Sequence, residues 1–309
     1  MTPPRKMKAE YHRPALLKET VDLLAVQQDG TYVDATFGGG GHSAGILRRL
    51  GPDGRLIAFD KDPDAQQNQI QDPRFQLIAT DFKFIESALK TLGIVQLDGI
   101  LADLGVSSHQ FDEGSRGFSF RFDARLDMRM DPTGGPDAVD VLNGYSEAEM
   151  VRVLEELGEV RQAVKIAAAI VEARRHRRIE TTGDLSRVVG SVIAARNLSK
   201  ILTLIYQAVR IEVNGELQAL EELLQSGLRL LKPGGRMAII SYHSLEDRLV
   251  KQFFRTGNPQ GENQRDFFGK SLCPWKMITR KAVQPTAAEE RENPRSRSAK
   301  LRVSEKIEL

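Results

Sequence analysis

The sequence predicts an α/β protein, a doubly wound and mostly parallel sheet interrupted by an all-helical insertion, and three observations predict it. Short apolar runs alternate with helical stretches through the first third of the chain. One of those runs passes directly into a glycine-rich turn that opens a helix. About 130 residues then separate the fourth apolar run from the fifth, where a single crossover helix with its loops needs only ~30.

In chain order, Thr31 to Thr36, Arg55 to Phe59, Phe75 to Ala79 and Leu97 to Ala102 have the length and β-branched or aromatic content of buried strands. His42 to Leu50 reads as the helix after the first. Arg236 to Tyr242 supplies a fifth strand whose Met237-Ala238-Ile239-Ile240 core suits a central position, and Lys232-Pro233-Gly234-Gly235 reads as the turn before it. Most of the inserted stretch is helical. Ser146 to Glu149 forms a capping box, Val160, Val164, Ala167, Ile170 and Val171 recur at helical spacing, Thr182 to Ala195 is another helix, and Ile201 begins a third. These limits divide the chain at 1–111, 112–212 and 213–309: a ligand-binding domain in two parts around a helical domain that would recognise the substrate.

With a net charge of only +2, the 309-residue chain does not bind nucleic acid by overall charge. Its cations are clustered, at Arg174, Arg175, Arg177 and Arg178 and again at Arg291, Arg295, Arg297, Lys300 and Arg302. Each cluster is either a phosphate-binding patch or a solvated face and a charged tail. The single cysteine, Cys273, excludes a disulfide framework and a zinc module, and no metal is expected. Residues 1–14 are polar and basic, unlike a secretion signal, and no apolar run approaches the ~20 residues of a membrane span, so a cytoplasmic protein is expected.

The turn Gly38-Gly39-Gly40-Gly41 follows Asp34-Ala35-Thr36-Phe37 and precedes His42. Glycines there let the backbone approach a ligand closely. Gly39, Gly41 and Ala44 satisfy Gly-x-Gly-x-x-Ala, and Asp60, nineteen positions after Gly41, is placed to accept from ribose hydroxyls. A nicotinamide oxidoreductase and a methyltransferase both fit that pattern. The carboxylates separate them: Asp34, Asp60, Asp81 and Asp103 each stand at or near a strand end. At an effective dielectric of ~20, unit charges about 4 Å apart interact by ~4 kcal/mol, so such a rim repels a pyrophosphate and favours a sulfonium cation. Some of these acids can equally cap the turns beside them, Asp34 first among them, because Thr36 and the turn amides lie within its reach. A Walker loop is excluded because no Lys-Ser or Lys-Thr follows the glycines.

Six segments carry a family resemblance: Asp34 to Ser43, Asp103-Leu104-Gly105-Val106-Ser107-Ser108, Arg116-Gly117-Phe118-Ser119-Phe120, Leu126 to Pro132, Ser241 to Arg248 and Asn293 to Ser298. From about His12 to Ile307 the chain resembles the RsmH (MraW) family of small-subunit ribosomal RNA methyltransferases. The resemblance implies a class I, Rossmann-like methyltransferase fold that uses S-adenosyl-L-methionine and releases S-adenosyl-L-homocysteine. It implies methylation of N4 of a decoding-centre cytidine (position 1402) of 16S rRNA within the small ribosomal subunit. It further implies cofactor contacts at Gly40, Gly41, His42, Asp60, Phe82 (beside the adenine), Asp103 and Gln110. Phe82 would otherwise be an ordinary core aromatic, and His42 a helix-start residue offering only its backbone N–H. A homodimer is compatible with the sequence. The chain departs from the family where His-Pro-Ala-Thr-Arg-Thr is usual: Ser199 to Tyr206 is largely apolar, so no RNA contact carries over to that segment. The retained Gln207 to Asn214 stretch is expected to hold the insertion against the catalytic domain.

No catalytic residue is assigned from sequence alone. Asp103 or neighbouring carbonyls are candidates to accept the hydrogens of a substrate amine, Ser241 or His243 to line the same pocket, and Ser244 to cap the helix that follows. Gly117 to Pro132 interleaves Phe118, Phe120 and Phe122 with Arg121, Arg125 and Arg129 and with Asp123, Asp127 and Asp131. It reads as a folded flap with internally paired ions, or as a stacking surface for an extruded base. Arg295 and Arg297, beside small Ser296 and Ser298, are the better phosphate candidates.

Overall fold

The computed structural model describes residues 14–107, 110–111 and 113–308, so the basic N-terminal segment and Ser108 lie outside the described residues. The chain runs α1 (Leu17–Leu24), β1 (Thr31–Asp34), α2 (Gly41–Leu47), β2 (Arg55–Asp60), β3 (Phe75–Ala79), α3 (Ile85–Thr91) and β4 (Leu97–Asp103). A helical stretch follows: α4 (Ala138–Gly144), α5 (Glu147–Arg152), α6 (Ala163–His176), α7 (Thr182–Val192) and α8 (Ala195–Asn214). The last part comprises α9 (Glu216–Leu230), β5 (Leu231–Ser241), α10 (Ser244–Thr256), β6 (Trp275–Met277), α11 (Ala287–Glu292) and β7 (Lys300–Lys306). The chain forms two compact units, Met1–Gly105 with Ala219–Leu309, and Val106–Gln218, against expected boundaries at 111/112 and 212/213.

In the first unit the described strands make one seven-stranded sheet in the order β3-β2-β1-β4-β5-β7-β6. β1 to β5 are mutually parallel, and β7 returns antiparallel to both β5 and β6. The reversal from β1–β2–β3 to β4–β5 creates a switch point beside β1, where open α/β sheets bind ligands at the carboxyl ends of strands. Helices cover both faces, and two apolar clusters form, one around Val33, Phe59, Ile100, Leu223 and Phe253, the other around Tyr32, Ile46, Leu56 and Leu101. Double coverage explains why Ile100-Leu101-Ala102 of β4 and the second half of β5 read as unbroken apolar runs.

Three expectations change here. The segment Lys232 to Gly235 belongs to β5 as an irregular stretch, where pairing jumps from Leu97↔Leu231 to Gly99↔Arg236 with Gly234 at φ 82°. The basic C-terminal stretch is not a free tail, because Lys300–Lys306 pairs along β5 and buries Leu301, Arg302, Val303 and Ser304 in succession. Arg302, expected among the phosphate-binding cations, is only 8% exposed, and its Nε and Nη2 donate to Asp247 at 2.6 and 3.2 Å. Arg295 and Arg297 lie in a 3-10 turn, Pro294–Ser298, whose Ser296 is buried and donates its hydroxyl to Asn293 O.

The second unit is helical around its own core of Leu126, Leu142, Met150, Ile166, Leu185, Ile205 and Val209. Capping boxes start α4 (Asp137 with Asp140), α5 (Ser146 with Glu149) and α7 (Thr181 with Asp184). The departure segment lies in α8, where Leu202, Ile205 and Tyr206 are buried and Leu198, Ile201 and Leu204 pack at the core edge. Apolar replacement there completes a helix face. Gln207, Arg210 and Asn214 bond inside this unit: Gln207 to Leu157 O, Arg210 twice to Glu216, and Asn214 to the chain at 128–130.

Gly117 to Pro132 is a folded flap. Phe118 is buried, Phe120 meets Tyr206 edge-on at 5.3 Å, Arg125 pairs with Asp137 and Arg129 with Asp127, while Phe122 stays half exposed. Its tightest point is Met128, at φ 59°, where the Asn214 amide donates to Met128 O (2.8 Å) and accepts from Met130 N–H (2.7 Å). Asn214→Ala leaves both groups without that partner and should cost about 2 kcal/mol, read as a lower denaturant midpoint. In the basic cluster at the end of α6 only Arg174 turns inward, donating to the carbonyls of Leu142 and Tyr145; Arg175, Arg177 and Arg178 are exposed, Arg175 beside Glu172 and Arg178 3.4 Å from Asp140.

Candidate active site

The carboxyl ends of β1, β2 and β4 place Asp34, Asp60 and Asp103 around the turn that opens α2. The turn needs glycine at two positions, since Gly38 and Gly40 have φ of 50° and 75°. A Cβ on Gly38 would meet nothing within 4 Å, so that turn residue borders open space. Gly40 is the N-cap of α2 and Gly41 its first residue.

Asp34 is fully buried and structural: its carboxylate accepts from Thr36 N–H (3.2 Å) and from the Ser43 hydroxyl (2.7 Å). Burial pushes its carboxyl up to about 6, against the pull of the Ser43 bond. Asp60 accepts from Gly38 N–H at 2.7 Å and Asp62 N–H at 2.8 Å, which ties the turn to the end of β2. Burial raises its pKa too, opposed by those two amides.

Asp103 is the most engaged of the three. Its amide donates to Thr36 Oγ1 (2.6 Å), its Oδ1 accepts from the Tyr242 hydroxyl (2.8 Å), and its Oδ2 lies 3.4 Å from His42 Nε2. His42 is 4% exposed, and its Nε2 faces Asp103 at ion-pair distance, too long for a well-formed hydrogen bond. Burial opposes a charged ring there, but the Asp103 carboxylate outweighs it and raises the His42 pKa. Burial, reinforced by Asp103, holds the Tyr242 phenol well above its ordinary range, so it stays a neutral donor. The side chain of His42 is therefore part of the site, beyond the backbone N–H expected of a helix-start residue.

Of the other expected residues, Phe82 opens a 3-10 turn after β3 and packs half-buried on the sheet cluster. Gln110 lies in the second unit, buried, exchanging bonds with Ser107: its Oε1 accepts from Ser107 N–H and its own N–H donates to Ser107 Oγ. Asp81 caps the turn at Phe82 and pairs with Lys61 at 3.1 Å. Ser244 is not the cap of α10. His243 holds that position, with Nδ1 accepting from Glu246 N–H while the Glu246 carboxylate accepts from the amides of Tyr242 and His243. Ser241 is buried in the sheet, its hydroxyl 3.4 Å from Lys300 O. Thr36 was read from sequence only as a partner of Asp34, and Ser43 and Tyr242 were given no role there. The available signal was a phenol directly after the fifth strand, next to the strand end that carries Asp103.

The family model described as the MraW methylase family matches residues 9–307. A ribosomal RNA small subunit methyltransferase H from Flavobacterium johnsoniae is 54% identical over 96% of this chain and 98% of its own length. One of the same name from Bacteroides fragilis is 48% identical over 96% and 97%. The chain belongs to the MraW methylase family. An MraW methylase is an enzyme of methyl transfer, and the nicotinamide oxidoreductase alternative falls with that membership. In this MraW methylase the strand-end carboxylates are buried or half-buried around one glycine turn, and Asp103 is the one held from both sides by side chains.

Proposed function

We propose that the protein transfers a methyl group from S-adenosyl-L-methionine to N4 of a decoding-centre cytidine of 16S rRNA in the small ribosomal subunit, in the cytoplasm, releasing S-adenosyl-L-homocysteine. The observation that supports this reading is the 48–54% identity, over nearly the whole chain, to proteins named ribosomal RNA small subunit methyltransferase H; the cytidine and its N4 come from the resemblance to the family. A donor set of backbone amides and carboxylates suits a cation with ribose hydroxyls. No helix among the described residues is long and apolar enough to cross a membrane.

Gly40, Gly41 and His42 would hold the cofactor from the turn, Asp60 its ribose, Phe82 its adenine, with Asp103 and Gln110 completing the set. The bound cofactor supplies an electrophilic methyl, and the residues of the chain supply position. Amine methylation needs the nitrogen lone pair in line with that methyl, so the amine hydrogens must be held elsewhere. Asp103 offers the remaining lone pairs of a carboxylate already fixed by Tyr242 and faced by His42. No covalent nucleophile is required. The helical unit serves as the substrate-recognition domain in this reading.

Radiolabelled methyl transfer to small subunits lacking the modification, followed by nucleoside mass spectrometry, tests the proposal. Label recovered as N4-methylcytidine is the expected result. Label in another nucleoside, or tight S-adenosylhomocysteine binding without transfer, overturns the assignment of substrate.

A further inference from the structure

The stretch between α10 and β6 takes no part in the chemistry proposed above, yet it is built with care. Gly257, at φ 79°, ends α10, and Arg265 and Ser271 then pair antiparallel. Inside that bridge Asp266 N–H donates to Lys270 O at 2.9 Å, and Asp266 Oδ1 accepts from the amides of Phe268 (2.9 Å) and Lys270 (2.8 Å). Arg265 Nη1 donates to Gly269 O at 2.9 Å, with Gly269 at φ 81°. The result is a tight hairpin that presents Phe267 and Phe268 at its tip, 98% and 90% exposed. Their rings stand edge to face, 5.5 Å apart, so each keeps a face open. Single exposed apolar side chains are ordinary, but two adjacent bare phenyls on an internally bonded tip call for a partner.

The charges around the tip indicate what that partner is. From 251 to 276 the chain carries Lys251, Arg255, Arg265, Lys270 and Lys276 against Glu262 and Asp266, with Arg265 and Lys270 in the hairpin itself. Asp266 spends Oδ1 on backbone amides, and Lys276 pairs with Glu305 at 3.3 Å. Aromatic faces between cations suit unpaired bases on a polyanionic backbone. Topology also fixes the location. β6 is antiparallel to β7, β7 to β5, and β5 is parallel to β4, so the hairpin enters β6 at the end of the sheet opposite Asp103. A strand as long as β4 separates the two ends by roughly 20 Å.

We propose that the Phe267–Phe268 hairpin is a second RNA contact, at which the phenyls stack on unpaired bases of the substrate and the flanking cations neutralise phosphates, remote from the base being methylated. This rests on the ribosomal RNA reading above. The test compares the full chain with F267S/F268S, a change at an exposed tip that should leave the thermal melt unaltered. Binding is measured to intact small subunits and to protein-free 16S rRNA, and methyl transfer to the subunits is measured alongside. Kd for both RNAs and KM for the subunits should rise on the order of tenfold, with kcat and S-adenosylhomocysteine affinity unchanged. Lys270→Gln should lower the slope of log affinity against log salt by about one. Equal Kd values for the variant and the native chain overturn the proposal, and so does weakening confined to intact subunits, which would make the partner a ribosomal protein. If the native chain binds RNA without methylating it, the catalytic reading fails while the Kd comparison still decides this one. If it binds neither RNA, both fail.

Discussion

Asp103→Asn is expected to lower turnover by about a hundredfold to a thousandfold, the range seen when one preorganised hydrogen-bonding group is removed from a reacting centre. Shape and the Tyr242 bond survive this change, since the asparagine oxygen can still accept from the phenol at Oδ1. What is lost is the second acceptor. An amide nitrogen would face His42 and the substrate amine, presenting hydrogens where hydrogens must be received. Tyr242→Phe should produce a milder loss, about tenfold, because the phenol acts only by fixing the carboxylate. Its signature is a fall in kcat with little change in the KM for either substrate. Single-turnover methyl transfer at saturating cofactor separates these effects from binding. Loss of cofactor binding without loss of turnover in Asp103→Asn would remove the orienting role.

The sheet was legible because its signals are local. The apolar runs at Thr31, Arg55, Phe75 and Leu97 are bounded by turns, and the excess length before Arg236 required an insertion. The missed strands show the limit. β7, reading Lys-Leu-Arg-Val-Ser-Glu-Lys, buries Leu301 to Ser304 on both faces although only two of those four are apolar, so its polar and charged residues make it resemble a solvated tail. Nothing adjacent in sequence shows that Arg302 meets Asp247, 55 residues earlier. In the site, the acids and glycines were visible from their positions at strand ends. Their division of labour was not, since it depends on contacts such as Tyr242 to Asp103, 139 residues apart, and Ser43 to Asp34. Residue preference points to Ser244 as the cap of α10, whereas His243 holds it, because an imidazole accepting through Nδ1 is an uncommon N-cap.

Asp34 should make the protein less stable as pH rises from about 4 to 6. Its folded-state pKa is raised to about 6 from the ordinary value of 3.8, so between those values the folded chain holds a proton that the unfolded chain has released. Stability falls with pH wherever the native state binds more protons, here by about 1.4 kcal/mol per pH unit. The loss is complete above pH 6, at about 3 kcal/mol, and absent below pH 4, where both states are protonated. Asp34→Asn removes the ionisation and keeps both hydrogen bonds, because the amide oxygen accepts from Thr36 N–H and the Ser43 hydroxyl can turn to accept from the amide nitrogen. The variant should therefore match the native chain near pH 4 and exceed it by about 3 kcal/mol at pH 8. Denaturant unfolding at the two pH values measures this, and the difference between the chains isolates Asp34 from Asp60 and His42, whose pKa values are also raised. An equal difference at both pH values would mean that the carboxylate is already satisfied as an anion by its partners.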